Sequence, residues 1–425
     1  MRKTKVLFIS SGGFCIVLFF LTFFARAEKL VSPATIIPSI LFGQHIHRAT
    51  STTVWPIVPF KSWRLWDTYA TWSKLEPTKG EWHFENLDNL VALAEKNNVE
   101  VLLPLGLTPD WASARPKEKS AYSNGNAAEP LNIEDWKIYV RKVGNRYKGR
   151  IHYYEIWNEP NLKEFFSGTP EQLIVLSREA YQILKLIDPA IVMVSPSATS
   201  GYKGVAWLKD YFAKGGGKYA DIIGFHFYTA PNPPEMIVPL IGKVKNVMAE
   251  FGASNKPLWN TEAGWAIANK QTEVKTTKDG IRSKVLNDEE ASAYVARAYI
   301  LNWASGVERF YWYAWDNGLM GLTEADGKTV KNPAFAYGEI QKWLVGARMD
   351  ECLSESNGTW ICHLTRDGGY NARIVWNPVK QVTLKIPKSW GIKVILNLDG
   401  KKQLLDSPTS VQIGLSPVLL ENSSR

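Results

Sequence analysis

Cysteine and histidine are scarce in this sequence, which limits the metal sites and disulfides that it can build. Three cysteines and six histidines occur among 425 residues. They show no spacing typical of zinc ligands, and no Gly-rich nucleotide-binding turn follows the first predicted strand. We therefore expect no catalytic metal and no bound cofactor.

The sequence also lacks a basic stripe and an RNA-binding motif, so we expect no nucleic-acid partner. Its formal net charge is +9, with 21% charged and 45% hydrophobic residues. These values are ordinary for globular proteins. They exclude a disordered chain and a membrane protein with several spans.

A long apolar run stands near the N-terminus. It follows the basic segment "MRKTK" and precedes "ARAEKL", in which Ala25 and Ala27 flank Arg26. This pattern is typical of a secretory signal peptide over residues 1–27, cleaved after Ala27. We therefore expect an exported protein, periplasmic or extracellular. Because the apolar run is long, an uncleaved membrane anchor through residues 6–24 is the alternative.

Cleavage would change the charge and the cysteine count. Residues 1–27 carry four basic residues and no acidic one, so their loss would lower the formal net charge from +9 to +5. Cys352 and Cys362 would be the two remaining cysteines. They would either bridge neighbouring strands of a hairpin or stay reduced in a core. We expect a mildly basic monomer.

Eight short β-prone runs alternate with longer amphipathic stretches. The runs are residues 41–48, 63–67, 99–106, 151–159, 191–198, 221–228, 257–265 and 309–316. Eight strand–helix units over about 300 residues predict an α/β fold, a (β/α)8 TIM barrel over residues 28–345. The gap between the first two runs is too short for a full helix, so we expect a degenerate unit there. A doubly wound open sheet is the rival fold, but its usual Gly-rich turn is missing.

The pattern changes after about residue 345. Short alternating runs with Gly, Asn, Asp and Pro between them predict a small antiparallel β-sandwich over residues 346–425. Before this change, the polar run 269–288 predicts a long loop after the seventh strand. Asn287 and Glu290 have the spacing of a capping box for the helix that follows.

Two glutamates stand where predicted barrel strands end. Glu159 lies in "IWNEP" on the fourth strand, and Glu262 lies in "WNTEAGW" on the seventh. Strand ends of a barrel share one mouth, so both acids would face the same cleft. Such a pair suits glycosidic bond cleavage, in which one acid protonates the leaving oxygen and the other attacks the anomeric carbon or activates water. Glu155 has the same strand parity but would lie about 13 Å deeper, as a buried, paired acid.

These motifs resemble those of the clan A glycoside hydrolases. The segments "TWSKLEPTKGEWHFENLDNLV" and "LPLGLTPDWA" are similar to the second and third barrel units of that clan, especially of family 39. The resemblance covers about residues 40–320. It implies a retaining mechanism, with Glu159 as acid/base and Glu262 as nucleophile.

The resemblance also implies roles for other residues. Asn158 would hold the sugar 2-hydroxyl, and Arg64 would keep the nucleophile ionised. Tyr228, paired with His226 on strand six, would donate a hydrogen bond to Glu262. Sugar-binding contacts are further expected from three residues near strand ends, where core packing or rim structure is the alternative for each: Trp312, Trp315 and His47.

The resemblance favours a polysaccharide as substrate. The leader, the single barrel and the small C-terminal domain are more like endo-acting hydrolases encoded beside exopolysaccharide assembly genes. An exo-acting β-xylosidase is the next interpretation. A non-catalytic glycan-binding barrel and a transglycosylase, in which a sugar hydroxyl replaces water, are the remaining alternatives.

Overall fold

The computed structural model describes residues 28–404 and 409–423. The predicted leader, residues 1–27, lies outside the described residues. Within the described ranges, no helix combines the length and the apolar character needed to cross a membrane. The first strand, β1 (Glu28–Leu30), pairs with the C-terminal part of the chain and is described with it below.

Eight parallel strands form the centre of the molecule. They are β2 (Phe42–Gln44), β3 (Ser62–Arg64), β4 (Glu100–Leu105), β5 (Tyr153–Ile156), β6 (Val192–Val194), β7 (Ile223–Phe225), β8 (Leu258–Ala263) and β9 (Arg309–Trp312). Neighbours in sequence are neighbours in space, and β2 pairs with β9. Parallel bridges between Val194 and Ile222 and between Ala198 and Phe225 join β6 to β7. The sheet is therefore the predicted (β/α)8 barrel, with each strand within or close to its predicted run.

Helices surround the barrel. They are α1 (Trp72–Leu75), α2 (Glu85–Lys96), α3 (Ile133–Arg146), α4 (Pro170–Ile187), α5 (Tyr202–Ala213), α6 (Ile237–Glu250), α7 (Asp288–Ala304) and α8 (Asn332–Leu344). No helix separates β2 from β3, as the short gap predicts. The Asn287 side chain accepts from the Glu290 N–H, and the Glu290 carboxylate accepts in return. The predicted capping box is confirmed, and it starts α7 at the end of the long polar loop.

Apolar side chains fill the interior of the barrel beneath the C-terminal ends of the strands. Leu102, Val194, Ile222, Trp259 and Tyr311 form one buried apolar cluster contributed by strands around the barrel. Such layers make the barrel interior a packed core. Polar side chains therefore gather above this layer, where the strands end.

The C-terminal part of the chain is antiparallel β-structure. Its strands are β10 (Arg348–Ser354), β11 (Trp360–Arg366), β12 (Tyr370–Trp376), β13 (Val382–Lys385), β14 (Val394–Asn397), β15 (Lys402–Leu404), β16 (Ser410–Ile413) and β17 (Val418–Glu421). One sheet has the order β1-β10-β11-β12-β17-β14-β15, and β13 pairs with β16 in a second sheet. The two-sheet antiparallel domain agrees with the sequence prediction. A disulfide joins the directly paired residues Cys352 and Cys362.

The N-terminal strand modifies the predicted domain division. The sequence assigns residues 28–345 to the barrel, but β1 forms an antiparallel ladder with β10. Its backbone hydrogen bonds therefore belong to the C-terminal sheet, although more than 300 residues of sequence separate β1 from β10. A three-residue strand has too little pattern to reveal this pairing in advance.

Candidate active site

Glu159 lies beyond the end of its strand, where the backbone turns sharply. The sequence predicts a strand to residue 159, but β5 ends at Ile156. Trp157 and Glu159 have positive φ angles of 58° and 45°, a conformation that costs energy for residues other than glycine. The Glu159 N–H donates to the Ser197 carbonyl at 3.0 Å. This turn presents the carboxyl at the mouth of the barrel.

Glu262 lies within β8, beside an irregularity in the sheet. The ladder between β8 and β9 shifts register between Asn260 and Ala263. Bulges of this kind re-aim side chains next to active sites. Gly264 follows closely, and a Cβ there would lie 2.3 Å from the Tyr313 carbonyl oxygen. The glycine of the "EAGW" motif is thus required by the close approach of the two strand ends.

The two carboxyls face each other at the barrel mouth. One oxygen of Glu159, one oxygen of Glu262 and a ring nitrogen of His226 lie within 4.8 Å of one another. Glu159 is 9% exposed and Glu262 is 6% exposed. Both line a cavity of about 900 Å³ that the loops after β5 to β9 enclose. The pair is therefore close enough to act on one bond from two sides.

Arg64, at the end of β3, connects the candidate residues. Its Nη1 donates to Glu262 Oε2 at 2.8 Å, and its Nη2 donates to Asn158 Oδ1 at 2.7 Å. Its Nε donates to Glu155 Oε2 at 2.6 Å. Arg64 and Glu155 are both fully buried, so Glu155 balances the cation from below. Arg64 Nη1 also lies 3.2 Å from His45 Nε2, and burial lowers the pKa of this histidine, which is therefore a neutral acceptor.

His226 and Tyr228 follow β7 and contact different acids. The Tyr228 hydroxyl donates to Glu262 Oε1 at 2.9 Å. His226 Nδ1 lies 2.9 Å from Glu159 Oε1 and 3.9 Å from Glu262 Oε1. Burial lowers the pKa of His226 to about 4, so its ring is neutral at pH 7. The structure thus places the expected hydrogen bond between Tyr228 and Glu262.

Burial dominates the electrostatics of the acid pair. It raises the pKa of Glu159 to about 7 and that of Glu262 to about 7. At Glu159, the Thr199 side chain and the charge of Arg64 oppose this effect, and at Glu262 the charge of Arg64 opposes it. Glu262 accepts from Arg64 and Tyr228, whereas the neutral ring of His226 contacts Glu159. Donors favour the ionised form of a carboxyl, so one shared proton belongs on Glu159.

Two tryptophans expected at the site do not line the cavity. Trp312 is fully buried and packs on Trp265, with ring centroids 5.8 Å apart. Trp315 is also buried, at 1% exposure. Successive residues of a strand point to opposite faces, and Trp312 points toward the helices. This arrangement corrects the sequence interpretation, because neither ring has surface for a sugar.

The half-buried His47 lies near the mouth but is held by other residues. The centroid of its ring lies 5.0 Å from that of Tyr313, and its backbone N–H donates to Asp316 Oδ1. It is absent from the residues that line the cavity. A substrate contact from His47 stays a prediction.

Sequence reasoning missed Tyr313, which lines the cavity together with both acids. Its hydroxyl donates to Asp67 Oδ2 at 2.6 Å, and the Tyr122 hydroxyl donates to Asp67 Oδ1 at 2.7 Å. Side chains two residues apart in a strand point to the same face, so Tyr313 could have been predicted to point inward like Tyr311. Tyr122 comes from a loop and has no comparable signal.

Glu159, His226 and Glu262 also have a spacing that would suit a metal ion. All three are buried, and a mixed carboxylate and imidazole set is chemically acceptable to several divalent metals. The absence of a catalytic metal therefore stays a prediction.

Solved structures confirm the architecture. A family 39 glycoside hydrolase from Bacteroides cellulosilyticus WH2 superposes with a TM-score of 0.68 at 20% identity, covering 85% of this chain and 75% of the other. A GH39 β-xylosidase from Caulobacter crescentus superposes with a TM-score of 0.65 at 17% identity, covering 94% and 98%. At these identities the likeness concerns the fold alone.

Sequence comparison gives the family. A β-xylosidase from Caldicellulosiruptor saccharolyticus is 27% identical over 175 residues, 39% of this chain and 34% of the relative. A β-xylosidase from Geobacillus stearothermophilus is 24% identical over 162 residues, 36% and 32%. The matched region thus spans about a third of these relatives. The family description "Glycosyl hydrolases family 39" matches residues 61–402, most of the chain, and the protein therefore belongs to family 39 of the glycosyl hydrolases.

Proposed function

We propose that this enzyme cleaves β-glycosidic bonds of a polysaccharide with retention of configuration. Glu159 is the acid/base and Glu262 is the nucleophile. The observation that carries this proposal is the approach of their carboxyl oxygens to within 4.8 Å. Retaining enzymes hold the two carboxyls about 5–5.5 Å apart, whereas inverting enzymes leave about 6.5–9.5 Å for a water molecule.

In the first step, the Glu262 carboxylate attacks the anomeric carbon while the bond to the leaving oxygen breaks. Glu159 transfers its proton to that oxygen, so the leaving group departs as an alcohol. Asn158 holds the sugar 2-hydroxyl through its amide N–H groups, since its oxygen already accepts from Arg64. Arg64 and Tyr228 hold the nucleophile ionised before the attack.

In the second step, water attacks the same carbon and the bond to Glu262 breaks. Glu159, now a carboxylate, accepts the proton of that water. The pKa of Glu159 falls during the glycosylated state, because the neighbouring negative charge of Glu262 is gone. Both residues then return to their starting forms.

Endo-action on a bacterial exopolysaccharide is our favoured form of this activity. The cavity of about 900 Å³ lies near the upper end of the range of about 300–1,000 Å³ for ligand pockets, which leaves room for more than one sugar. Tyr202 also lines it, with 63% of its surface exposed, which suits stacking on a further sugar. An exo-acting β-xylosidase is the second candidate, favoured by the β-xylosidases among the relatives.

The test is a panel of polysaccharides and aryl β-glycosides, headed by xylan, assayed with the wild-type enzyme and Glu262→Gln. We expect reducing ends from the wild type, at least about 10³-fold less from the variant, and initial products of β configuration by NMR. Fragments of several sugars indicate endo-action, and single sugars indicate exo-action. Products heavier than the substrate would identify transglycosylation.

Equal background rates of wild type and Glu262→Gln on every glycan would instead support a non-catalytic glycan-binding barrel. Products of α configuration would refute the retaining mechanism but would still show that the enzyme hydrolyses glycosidic bonds. We also propose that the enzyme is exported. N-terminal sequencing of the exported protein tests cleavage of the leader, since a first residue of Glu28 requires it.

A further inference from the structure

A second cavity lies beside the catalytic one, at the ends of β3 and β4. It measures about 300 Å³, which is within the range of small-molecule sites. Its lining is aromatic and polar and comprises Trp66, Asp67, Tyr69, Thr71, Ser73, Lys74, Leu107, Tyr122, Ser123 and Asn126. The catalytic cavity is enclosed by the loops after β5 to β9. The two cavities therefore occupy neighbouring sectors of the barrel mouth.

Asp67 forms the boundary between the cavities. One carboxylate oxygen accepts from Tyr122, which lines the second cavity, and the other accepts from Tyr313, which lines the catalytic cavity. These hydrogen bonds are 2.7 Å and 2.6 Å long. The second cavity is thus connected to the catalytic one through a single side chain.

The backbone around the second cavity is held in an uncommon conformation. Asp67, Tyr69 and Leu107 have φ angles of 58°, 58° and 61°. Positive φ is rare for bulky residues, and such residues cluster at binding sites, where the surrounding structure holds them. Tyr69, one of these residues, is 69% exposed.

The aromatic rings of the cavity are arranged for contact with a ligand. Tyr122 is 43% exposed, and its ring meets the Trp66 ring edge to face at 5.7 Å. Exposed aromatic rings bind the apolar faces of flat ligands, and hydroxyl and amide groups beside them bind polar substituents. Ser73 and Ser123 supply hydroxyl groups, whereas the buried Asn126 amide is held by hydrogen bonds to the Ser123 N–H and the Thr108 carbonyl within the loop. A sugar ring has both kinds of surface.

We propose that the second cavity binds a further sugar of the polysaccharide whose neighbouring bond is cleaved between Glu159 and Glu262. The chain crosses the Tyr122–Asp67–Tyr313 bridge, and Tyr69 is the exposed ring on which this sugar stacks. The inference rests on the proposed glycosidase activity and adds a subsite to it. It assigns a role in chain recognition to residues that do not touch the reacting bond.

The test measures how the rate depends on chain length. Oligosaccharides of two to eight sugars are prepared by partial acid hydrolysis of the panel polysaccharide that the wild type cleaves fastest. We expect kcat/KM of the wild type to rise stepwise at the length that reaches the second cavity. Tyr69→Ala should reduce this step by at least about 5-fold, mainly through KM, and Tyr69→Phe should keep it.

Phe335→Ala is the matched control, because Phe335 is 51% exposed on α8 and lines neither cavity. It should keep the full chain-length step. A step of the same size in Tyr69→Ala, or no step in the wild type, would overturn the subsite while leaving the glycosidase activity in place. Absence of hydrolysis on every glycan would overturn the proposed activity first, and the subsite with it.

Discussion

The guanidinium of Arg64 donates to the Glu262 carboxylate at 2.8 Å while the same group pairs with the buried Glu155 on its other edge. Arg64 is fully buried, so its charge is compensated only by protein groups around it. Two acids share this cation, but only Glu262 lines the cavity. Glu155 therefore balances Arg64, and Glu262 remains available to the substrate.

The first prediction concerns this buried ion pair. Arg64→Met leaves two buried carboxyls without their cation, which should lower the free energy of unfolding by about 3–5 kcal/mol. Arg150→Met is the control, because Arg150 and its partner Glu95 are both exposed, and exposed pairs contribute about 0–1 kcal/mol. Urea unfolding followed by circular dichroism measures both. Equal losses would contradict a special role of the Arg64 site.

The second prediction is the pH profile. Burial raises the pKa of Glu159 to about 7, so its proton is present below this pH and is lost above it. Because the first step needs that proton, kcat/KM should fall as the pH rises above about 7. The fall of kcat/KM at low pH, the acidic limb of the profile, reports protonation of Glu262, which must be ionised to attack.

The variant Glu159→Gln tests the assignment of the alkaline limb. With a 2,4-dinitrophenyl glycoside, whose leaving group needs no proton, the variant should keep kcat/KM and lose the limb above pH 7. An unchanged alkaline limb in this variant would assign that limb to another group.

The third prediction concerns the hydroxyl of Tyr228. Tyr228→Phe removes a donor to the charged form of Glu262, a contact worth about 1.5–3 kcal/mol. We expect kcat/KM to fall about 10- to 100-fold and the acidic limb to move to higher pH, since loss of a donor raises the pKa of a carboxyl. Tyr211→Phe is the control, because this buried hydroxyl contacts Ser177, outside the cavity. A fall in rate without a shifted limb would contradict this explanation.

The fourth prediction concerns the disulfide between Cys352 and Cys362, which spans 10 residues of sequence. Closing a loop of this length stabilises by about 2–3 kcal/mol on entropic grounds. Reduction should lower the free energy of unfolding by that amount without changing the rate on an aryl glycoside, because both cysteines lie in the C-terminal sheet. The double variant Cys352→Ala, Cys362→Ala should show no response to reductant. A loss of activity in the folded, reduced protein would contradict this separation of roles.

The barrel and the two acids were predictable because the necessary signals are local. Eight β-prone runs alternate with amphipathic stretches, except between the first two runs, and Glu159 and Glu262 stand at or near the ends of two of the runs. The motif pointed to Trp312 as a sugar-binding residue, but its neighbour Tyr313 is the one that faces the cavity. The alternation of side chains in a strand was the better guide there.

The contacts between distant residues required the folded chain. Tyr122 reaches Asp67 across 55 residues of sequence, and β1 pairs with β10 across more than 300. The sequence of neither segment predicts which residues it contacts. Loop conformations and short strand pairings depend on the surrounding packing, which sequence periodicity does not encode.

Strand alternation and motif position were sufficient to identify a (β/α)8 barrel with two glutamates at its mouth, because side-chain direction and strand order follow from local periodicity. Closure of the barrel decided the remaining properties. It set the separation of the acids, placed Arg64 between Glu262 and Glu155, and buried the site so that the pKa of Glu159 rises to about 7. Distances and desolvation arise only when strands far apart in sequence enclose the same space.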